Sequence, residues 1–502
     1  MSELLQHLAL GLSVASSFDN LSIALAGCVL GTLIGVLPGV GPLATFAMLL
    51  PLTYYLTPTG AMIMLAGVYY GAQYGGSTTA ILVNIPGEAS SVVTCLDGHQ
   101  MARKGKAGTA LATAALASLF AGCVVTLLIA VAGPPLAQVA LMFGPAEFVS
   151  MITVGLMSAV FLSHGAIPKS IAMIIVGILI GVVGTDINTG EVRYDFGFYQ
   201  LSSGIDFVPV AMGLFALTEI VLNIEQSAGR RSVIAAVKGL WPSREDFSRS
   251  WAPTLRGTAL GAALGILPGG GATVSSFAAY ALEKKISKTP ERFGHGAIEG
   301  VAGPEAANNA GAQATFIPML TLGIPPNGLL ALMMGAMITH GITPGPQIMT
   351  KQPELFWGVI VSMWIGNVML VILNLPLIGL WVRLLRVPYT YLAPTVLLLC
   401  AMGAYSVSSS SLDVYLMAFF GLLGYLFRKL DCPAAPLLLG LVLGPQLEEQ
   451  LRRALLFSDG SWFVFLERPI SLAFLVGAAI LLALIALPAI RSKRSVAFQE
   501  ED

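Results

Sequence analysis

Residues Gly31–Gly41 read GTLIGVLPGVG, and residues Gly261–Gly271 read GAALGILPGGG. They agree at Gly31/Gly261, Gly35/Gly265, Leu37/Leu267, Pro38/Pro268, Gly39/Gly269 and Gly41/Gly271, an ordered match that marks an internal repeat. In both, apolar chain enters and leaves a Leu-Pro-Gly-x-Gly break. Proline removes a backbone donor and glycine permits positive φ, so such a break leaves half-helices with free N–H groups directed at one spot. Helix starts of that kind carry partial positive charge and favour carboxylate or phosphate. A lone Pro-Gly can also be a kink or a close-packing device in a membrane helix; its duplication favours the break. A weaker echo follows, where NIPGE (Asn84–Glu88) is answered by GIPPN (Gly323–Asn327).

The surrounding composition is that of a bilayer protein. Of 502 residues, 56 % are hydrophobic and 11 % charged, and mean hydropathy is +0.81, whereas soluble domains carry about 25 % charged residues. Lys plus Arg number 26 against 27 Asp plus Glu, which leaves no basic excess for a nucleic-acid partner. The five cysteines (Cys28, Cys95, Cys123, Cys400 and Cys432) are widely spaced in mostly apolar runs and suggest small core residues rather than disulfides or a metal site. His7, His99, His164, His295 and His340 show no zinc-type pairing. The first twenty residues lack a signal-peptide layout, so the N-terminus reads as mature protein.

Stretches of about 20 apolar residues, the length needed to cross the hydrocarbon, fall near 108–132, 146–163, 168–185, 206–224, 305–322, 327–343, 355–381, 389–404, 412–427 and 468–490. With the Pro-Gly-cut regions 21–56 and 257–282, the expected fold class is an all-α polytopic membrane protein of roughly 10–12 segments. Basic loops mark the cytoplasmic side: 99–107 (Arg103, Lys104, Lys106), 229–256 (Arg230, Arg231, Lys238, Arg244, Arg249, Arg256), 283–295 (Lys284, Lys285, Lys288, Arg292) and the tail (Arg491, Lys493, Arg494). The N-terminal segment, the loop 53–60 and Asp186–Asp206 carry Arg193 with Glu3, Asp19, Asp186, Glu191, Asp195 and Asp206, and are placed outside. The two copies then enter from opposite faces, and the arms of the second, about 10–11 apolar residues each, suggest a re-entrant hairpin. Inverted repeats with broken-helix hairpins point to a secondary transporter binding near the midplane. The expected organisation is a first repeat over 1–225 with its hairpin near 31–50, and a cytoplasmic linker over 226–256. A second repeat follows over 257–490, with its hairpin near 257–282 and the C-terminal helices, and 491–502 form a cytoplasmic tail.

Polar residues inside this apolar setting are the candidate ligands. Gly71–Glu88, GAQYGGSTTAILVNIPGE, contains Gln73, Ser77, Thr78, Thr79 and Asn84 and ends in Pro86-Gly87; hydroxyls, amides and accessible backbone can ligate a carboxylate or supply oxygens to sodium. In Gly303–Ala310, GPEAANNA, Glu305, Asn308 and Asn309 share one helix face. Intramembrane ionisable groups are functional by default, while Ser and Thr also serve interhelical hydrogen bonding. Glu88 and Asp97 read equally well as site groups or as solvated loop charges.

These motifs resemble the large membrane subunit of the tripartite tricarboxylate transporter family over nearly the whole chain. The residues that carry the likeness are 35–42 (GVLPGVGP), 70–88 followed by Asp97-Gly98, 265–271 (GILPGGG), 299–309 (EGVAGPEAANN), 322–325 (LGIP), 340–346 (HGITPGP) and 374–376 (NLP). His99 and Pro326-Asn327 depart from the family pattern outside the expected core of the site. The resemblance implies a bacterial inner-membrane system in which a periplasmic solute-binding protein delivers citrate or another small carboxylate to this chain and a small membrane subunit. Uptake would be coupled to a Na+ or H+ gradient, with no other cofactor.

The substrate-binding candidates are Gly39, Gly41, Ser77, Thr78, Thr79, Asn84, Pro86, Gly87, Gly269, Gly271, Asn308, Asn309 and Pro325; the coupling-ion candidates are Thr79, Asn84, Glu305 and Asn308. No P-loop, G-x-S-G or H-E-x-x-H motif occurs, so neither direct ATP drive nor an intramembrane hydrolase is indicated. A passive organic-anion channel is the competing reading, and dependence of uptake on an ion gradient separates it from alternating access.

Overall fold

The computed structural model describes residues 2–486 except 38–41, 141, 163–165, 187–188, 227–236, 238, 267–270 and 385–388. Its main helices are α1 (Ser2–Ala15), α2 (Phe18–Val36), α3 (Pro42–Thr53), α4 (Pro58–Val83), α5 (Ala107–Ala140), α6 (Pro145–Leu162) and α7 (Ile167–Gly181). After α8 (Phe207–Glu225) come α9 (Arg244–Ile266), α10 (Gly271–Ile286), α11 (Glu299–Ala314), α12 (Phe316–Leu322), α13 (Gly328–Thr339) and α14 (Pro353–Asn374). The chain continues through α15 (Tyr389–Ser408), α16 (Ser411–Lys429), α17 (Ala434–Phe457) and α18 (Pro469–Ala486). Among the described residues the only strand pairing is the two-residue antiparallel ladder Gly184–Thr185 with Val192–Arg193.

The protein is an all-α polytopic membrane protein. Among the described residues, five helices are long and apolar enough to cross a bilayer: α2, residues Ala107–Val139 of α5, α8, α14 and α16. Shorter apolar helices include α3, α7 and α13. Outward faces are greasy, as with Leu398 and Met402 of α15 and Phe419 and Leu422 of α16, which is how a helix bundle meets lipid.

The internal repeat is a repeat of packing as well as of letters. Glycines four residues apart lie on one helix face. A Cβ on Gly27, Gly31 or Gly35 of α2 would fall 2.4–2.5 Å from the carbonyl oxygens of Met64, Val68 and Ala72 of α4. A Cβ on Gly257, Gly261 or Gly265 of α9 would fall 2.2–2.5 Å from those of Gly303, Ala307 and Gly311 of α11. Only hydrogen fits at these positions, and the backbones meet directly.

The order of contacts also gives the directions. Both glycine-lined pairs progress in step, so α2 runs parallel to α4, and α9 to α11. Asn309 meets Ser118 and Gln313 meets Thr126, so α11 is parallel to α5; Cys28 meets Gly366 and Thr32 meets Asn374, so α2 is parallel to α14. Trp364 meets Cys123 while Phe356 meets Gly133, so α5 and α14 are antiparallel. It follows that α2 and α9, the equivalent helices of the two copies, run in opposite senses.

The weaker echo has matching geometry too. Asn84 after α4 (φ 56°) and Gly323 after α12 (φ 72°) both adopt the left-handed conformation before Ile-Pro. Glu88 and Asn327 are then both extended N-caps, at φ −155°, ψ 165° and φ −150°, ψ 171°.

Three boundaries differ from the sequence expectation. The segment from residue 244 is helical rather than linker, so α9 has 23 residues, a charged outer part continuing into the apolar arm 257–266; α2 has 19. The reason is a capping box at its start: the Ser243 backbone N–H donates to Asp246 Oδ2 at 3.1 Å and the Asp246 N–H donates to Ser243 Oγ at 3.1 Å. Second, the apolar-length criterion passed over α4 and α17, whose polar residues dilute the hydropathy although α4 is buried throughout. Third, the expected span 305–322 is two helices, α11 beginning at Glu299 and α12 beginning at Phe316.

The basic connections share one end of the bundle. Lys104 Nζ donates to the His295 carbonyl at 2.6 Å, Arg249 and Arg292 both reach Glu299, and Arg256 pairs with Glu283 at 2.6 Å. Arg230, Arg231, Lys238, Arg491, Lys493 and Arg494 lie outside the described residues.

Candidate functional site

The two copies interlock through their polar helices: α4 packs on α14 of the second half and α11 on α5 of the first. Where α4 meets α11, Glu305 is buried at 1 % exposure. Ser77 of α4 donates to its Oε2 at 2.8 Å, and the Thr94 hydroxyl donates to Oε1. Asn309, one turn on, donates to Ser118 Oγ of α5 at 2.6 Å. Among the described residues no Lys, Arg or His forms an ion pair with Glu305. A carboxylate placed there is costly unless it is hydrogen-bonded, neutralised by a proton or joined by a cation.

A cavity adjoins this carboxylate, lined by Tyr74, Ser77, Thr78, Ser118, Glu305 and Asn374 and roomy enough for about one water molecule. The Tyr74 hydroxyl and Asn374 Oδ1, both buried, have no hydrogen-bond partner. Buried polar atoms of native proteins are nearly always satisfied, so these two and Glu305 form a polar cage suited to a small cation or a water. The described residues leave no space there for an organic carboxylate, whose sites occupy some hundreds of cubic ångströms.

The second polar group surrounds the paired turns. Glu88 is half-buried and accepts from Ser90 Oγ at 2.6 Å, and Ser90 also donates to Gln73 Oε1 at 3.2 Å. Asn308, 1 % exposed, sits beside Glu88, yet neither its Nδ2 nor its Oδ1 completes a hydrogen bond. Asn327, the counterpart of Glu88, donates through Nδ2 to the Tyr69 hydroxyl at 3.3 Å. Tyr69 and Asn327 are absent from the sequence-based set. The signal for Asn327 was the GIPPN echo, whereas nothing in the sequence separated Tyr69 from a core tyrosine.

The remaining candidates divide clearly. Thr78 donates to the Tyr74 carbonyl at 3.1 Å, and Thr79 to the carbonyls of Gly76 at 2.8 Å and Gly35 at 3.3 Å. Thr78 thus bonds back to its own helix, and the Thr79 contact with Gly35 ties α4 to α2. Asn84 and Pro86 are exposed, and Gly87 packs so closely on Gly76 and Gly35 that a Cβ would lie 2.4 and 2.5 Å from them. Pro325 is buried beyond the Gly323 turn, and Gly271 opens α10 at φ +38°. Gly39, Gly41 and Gly269 lie outside the described residues. Asp97 is not a solvated loop charge. It is buried at 0 % exposure, and its Oδ1 accepts from the backbone N–H groups of Gly294 (3.0 Å), Gly296 (2.7 Å) and Ala297 (2.7 Å) while Oδ2 accepts from Tyr280 (3.0 Å), so it clamps the halves together.

The comparisons with known proteins agree with this architecture. The family model described as the tripartite tricarboxylate transporter TctA family matches residues 21–439. An uncharacterized 52.8 kDa protein in the TAR-I ttuC' 3' region of Agrobacterium vitis is 55 % identical over 502 residues, covering 100 % of both chains. An uncharacterized protein in the TAR-II ttuC' 3' region of the same organism is 55 % identical over 242 residues, 48 % of this chain and 100 % of its own. No solved structure matches. A match spanning the glycine repeat, both polar helices and the paired turns places this chain in the tripartite tricarboxylate transporter TctA family.

Proposed function

We propose that the chain is the translocating subunit for gradient-driven uptake of a small carboxylate across the bacterial inner membrane. A periplasmic solute-binding protein delivers the substrate, and a small membrane subunit completes the membrane pair. Family membership supports the transport role. The observation that carries the coupling is Glu305, an unpaired carboxylate held between the two halves beside a cage the size of one water.

In this reading Glu305 takes the coupling cation, a proton or sodium, with Ser77, Tyr74 and Asn374 completing the cage. The neighbouring group of Asn308, Tyr69, Asn327 and the turn backbone at Pro86-Gly87 and Pro325 meets the substrate carboxylates, and Gly39, Gly41, Gly269 and Gly271 supply N–H groups at the breaks. The cage closes when occupied, and only the empty and fully loaded states reorient, which gives symport. The basic end of the bundle faces the cytoplasm, so cargo is released toward Lys104 and Arg292.

The test is counterflow against gradient-driven uptake in proteoliposomes holding both membrane subunits. Glu305→Gln is expected to keep substrate exchange and to lose at least tenfold in accumulation under an imposed gradient. Undiminished accumulation in this variant removes Glu305 from coupling.

A further inference from the structure

We propose that the groove between α5 and α9, at the basic end of the bundle, is a specific site for one anionic glycerophospholipid. The groove encloses about 370 Å3 including its mouth and is walled by Leu116, Phe120, Pro242, Phe247 and Trp251. Phe120 and Trp251 meet with ring centroids 5.1 Å apart, and Phe247 stacks on Trp251 at 6.1 Å. Ser250 and Thr254 also line it, their hydroxyls donating to the Asp246 and Ser250 carbonyls of their own helix. The Thr113 hydroxyl lines the groove on a residue only 4 % exposed and has no hydrogen-bond partner. A threonine in a helix can bond back to its own preceding turn, as Thr254 does, so the buried Thr113 hydroxyl is the one donor of this wall left unspent.

The relative depth of these groups matches one kind of molecule. Helices α5 and α9 are parallel through their shared partner α11, and Phe120 lies level with Trp251. Counting back seven residues on each helix sets Thr113 level with Arg244. From the end of the bundle inward the order is therefore a charged turn, in which Glu245 is taken by Arg249 and Asp246 by Ser243 while Arg244 is left over, then a hydroxyl donor and an aromatic slot. Arg244 is exposed and forms no ion pair among the described residues, unlike Arg249, which Glu299 neutralises. A glycerophospholipid has the complementary order of phosphate, ester carbonyl and acyl chain. Exposed Trp241 and Trp251 are of the residue type that settles at the headgroup boundary. A protein helix in this groove would offer neither the anion nor a free carbonyl at that depth, because its own carbonyls are already bonded. The inference does not depend on the transport reading.

Trp251 sits in the groove and reports on it. The intact protein is reconstituted in phosphatidylcholine vesicles containing rising fractions of lipid brominated on the acyl chain, and the Trp251 signal is taken as wild type minus Trp251→Phe. Brominated phosphatidylglycerol is expected to quench that signal at a mole fraction about fivefold lower than brominated phosphatidylcholine. Arg244→Ala is expected to erase the preference, Thr113→Val to weaken both lipids alike, and Ala117→Phe, which fills the groove, to abolish the quenching. Equal quenching by the two lipids in wild type, or a preference that survives Arg244→Ala, reduces the groove to ordinary lipid contact and overturns the proposal. A Trp251 signal that neither lipid quenches means that protein covers the groove, and overturns it as well.

Discussion

Adding a single methyl group at Gly31 or at Gly261 tests whether the two halves are built alike. An alanine Cβ at residue 31 would stand 2.4 Å from the Val68 carbonyl oxygen and 2.8 Å from Val68 Cα; at residue 261 it would stand 2.5 Å from the Ala307 oxygen. The nearest obstacle at each position is backbone, so the helices must separate by most of an ångström, which loosens the flanking contacts at Gly27 and Gly35 or at Gly257 and Gly265 as well. Overpacking of this type costs about 1–3 kcal/mol. With a whole glycine stripe disturbed we expect the upper part of that range, near 3 kcal/mol, for Gly31→Ala and Gly261→Ala alike. Gly477, with nothing within 4 Å of its would-be Cβ, is the control, and Gly477→Ala should change stability by under about 0.5 kcal/mol. Thermal or SDS-induced unfolding of the purified protein measures all three. A large loss at residue 31 with none at residue 261, or losses no greater than the control, would refute the matched-packing account.

Asp97→Ala leaves three backbone N–H groups and the Tyr280 hydroxyl without their acceptor; a loss of about 3 kcal/mol or more is expected in the same unfolding assay. Asp97→Asn keeps one acceptor oxygen and should lose less than half as much. Asn308→Ala removes a buried amide whose polar neighbour is Glu88 and whose own hydrogen bonds are incomplete, so stability should change by under about 1 kcal/mol while the substrate concentration needed for half-maximal uptake rises severalfold. If stability falls further than that, the amide is structural. Ser77→Ala removes one donor to Glu305 and should alter the pH or sodium dependence of uptake more than its maximal rate, as a titration of initial rates against the coupling ion will show.

Much of the fold was legible because membrane insertion writes composition so strongly. The glycine repeat was visible as letters, and its meaning, backbone meeting backbone four residues apart, follows from helix geometry. The capping box at Ser243 and Asp246 was equally readable, but the basic residues around it drew that segment toward a loop assignment. α4 escaped because hydropathy rewards lipid exposure, and a helix wholly wrapped by protein needs none. At the site, the sequence pointed to Ser77 and Glu305 but could not show that one hydrogen-bonds the other across 228 positions. Nor could it show that the Thr79 hydroxyl is spent on carbonyls. Which polar atoms are left without partners depends on packing between distant segments, and that is what distinguishes Asn308 from its neighbour Asn309.

The most direct test of the central claim is uptake of labelled citrate and a panel of smaller carboxylates into proteoliposomes. The vesicles hold this chain and its small membrane subunit, with and without the periplasmic binding protein and with either a sodium or a proton gradient. The account predicts accumulation above the gradient-free equilibrium that requires the binding protein and responds to one of the two ions. Simple equilibration, indifferent to both gradients and to the binding protein, would contradict it and identify a passive anion pathway.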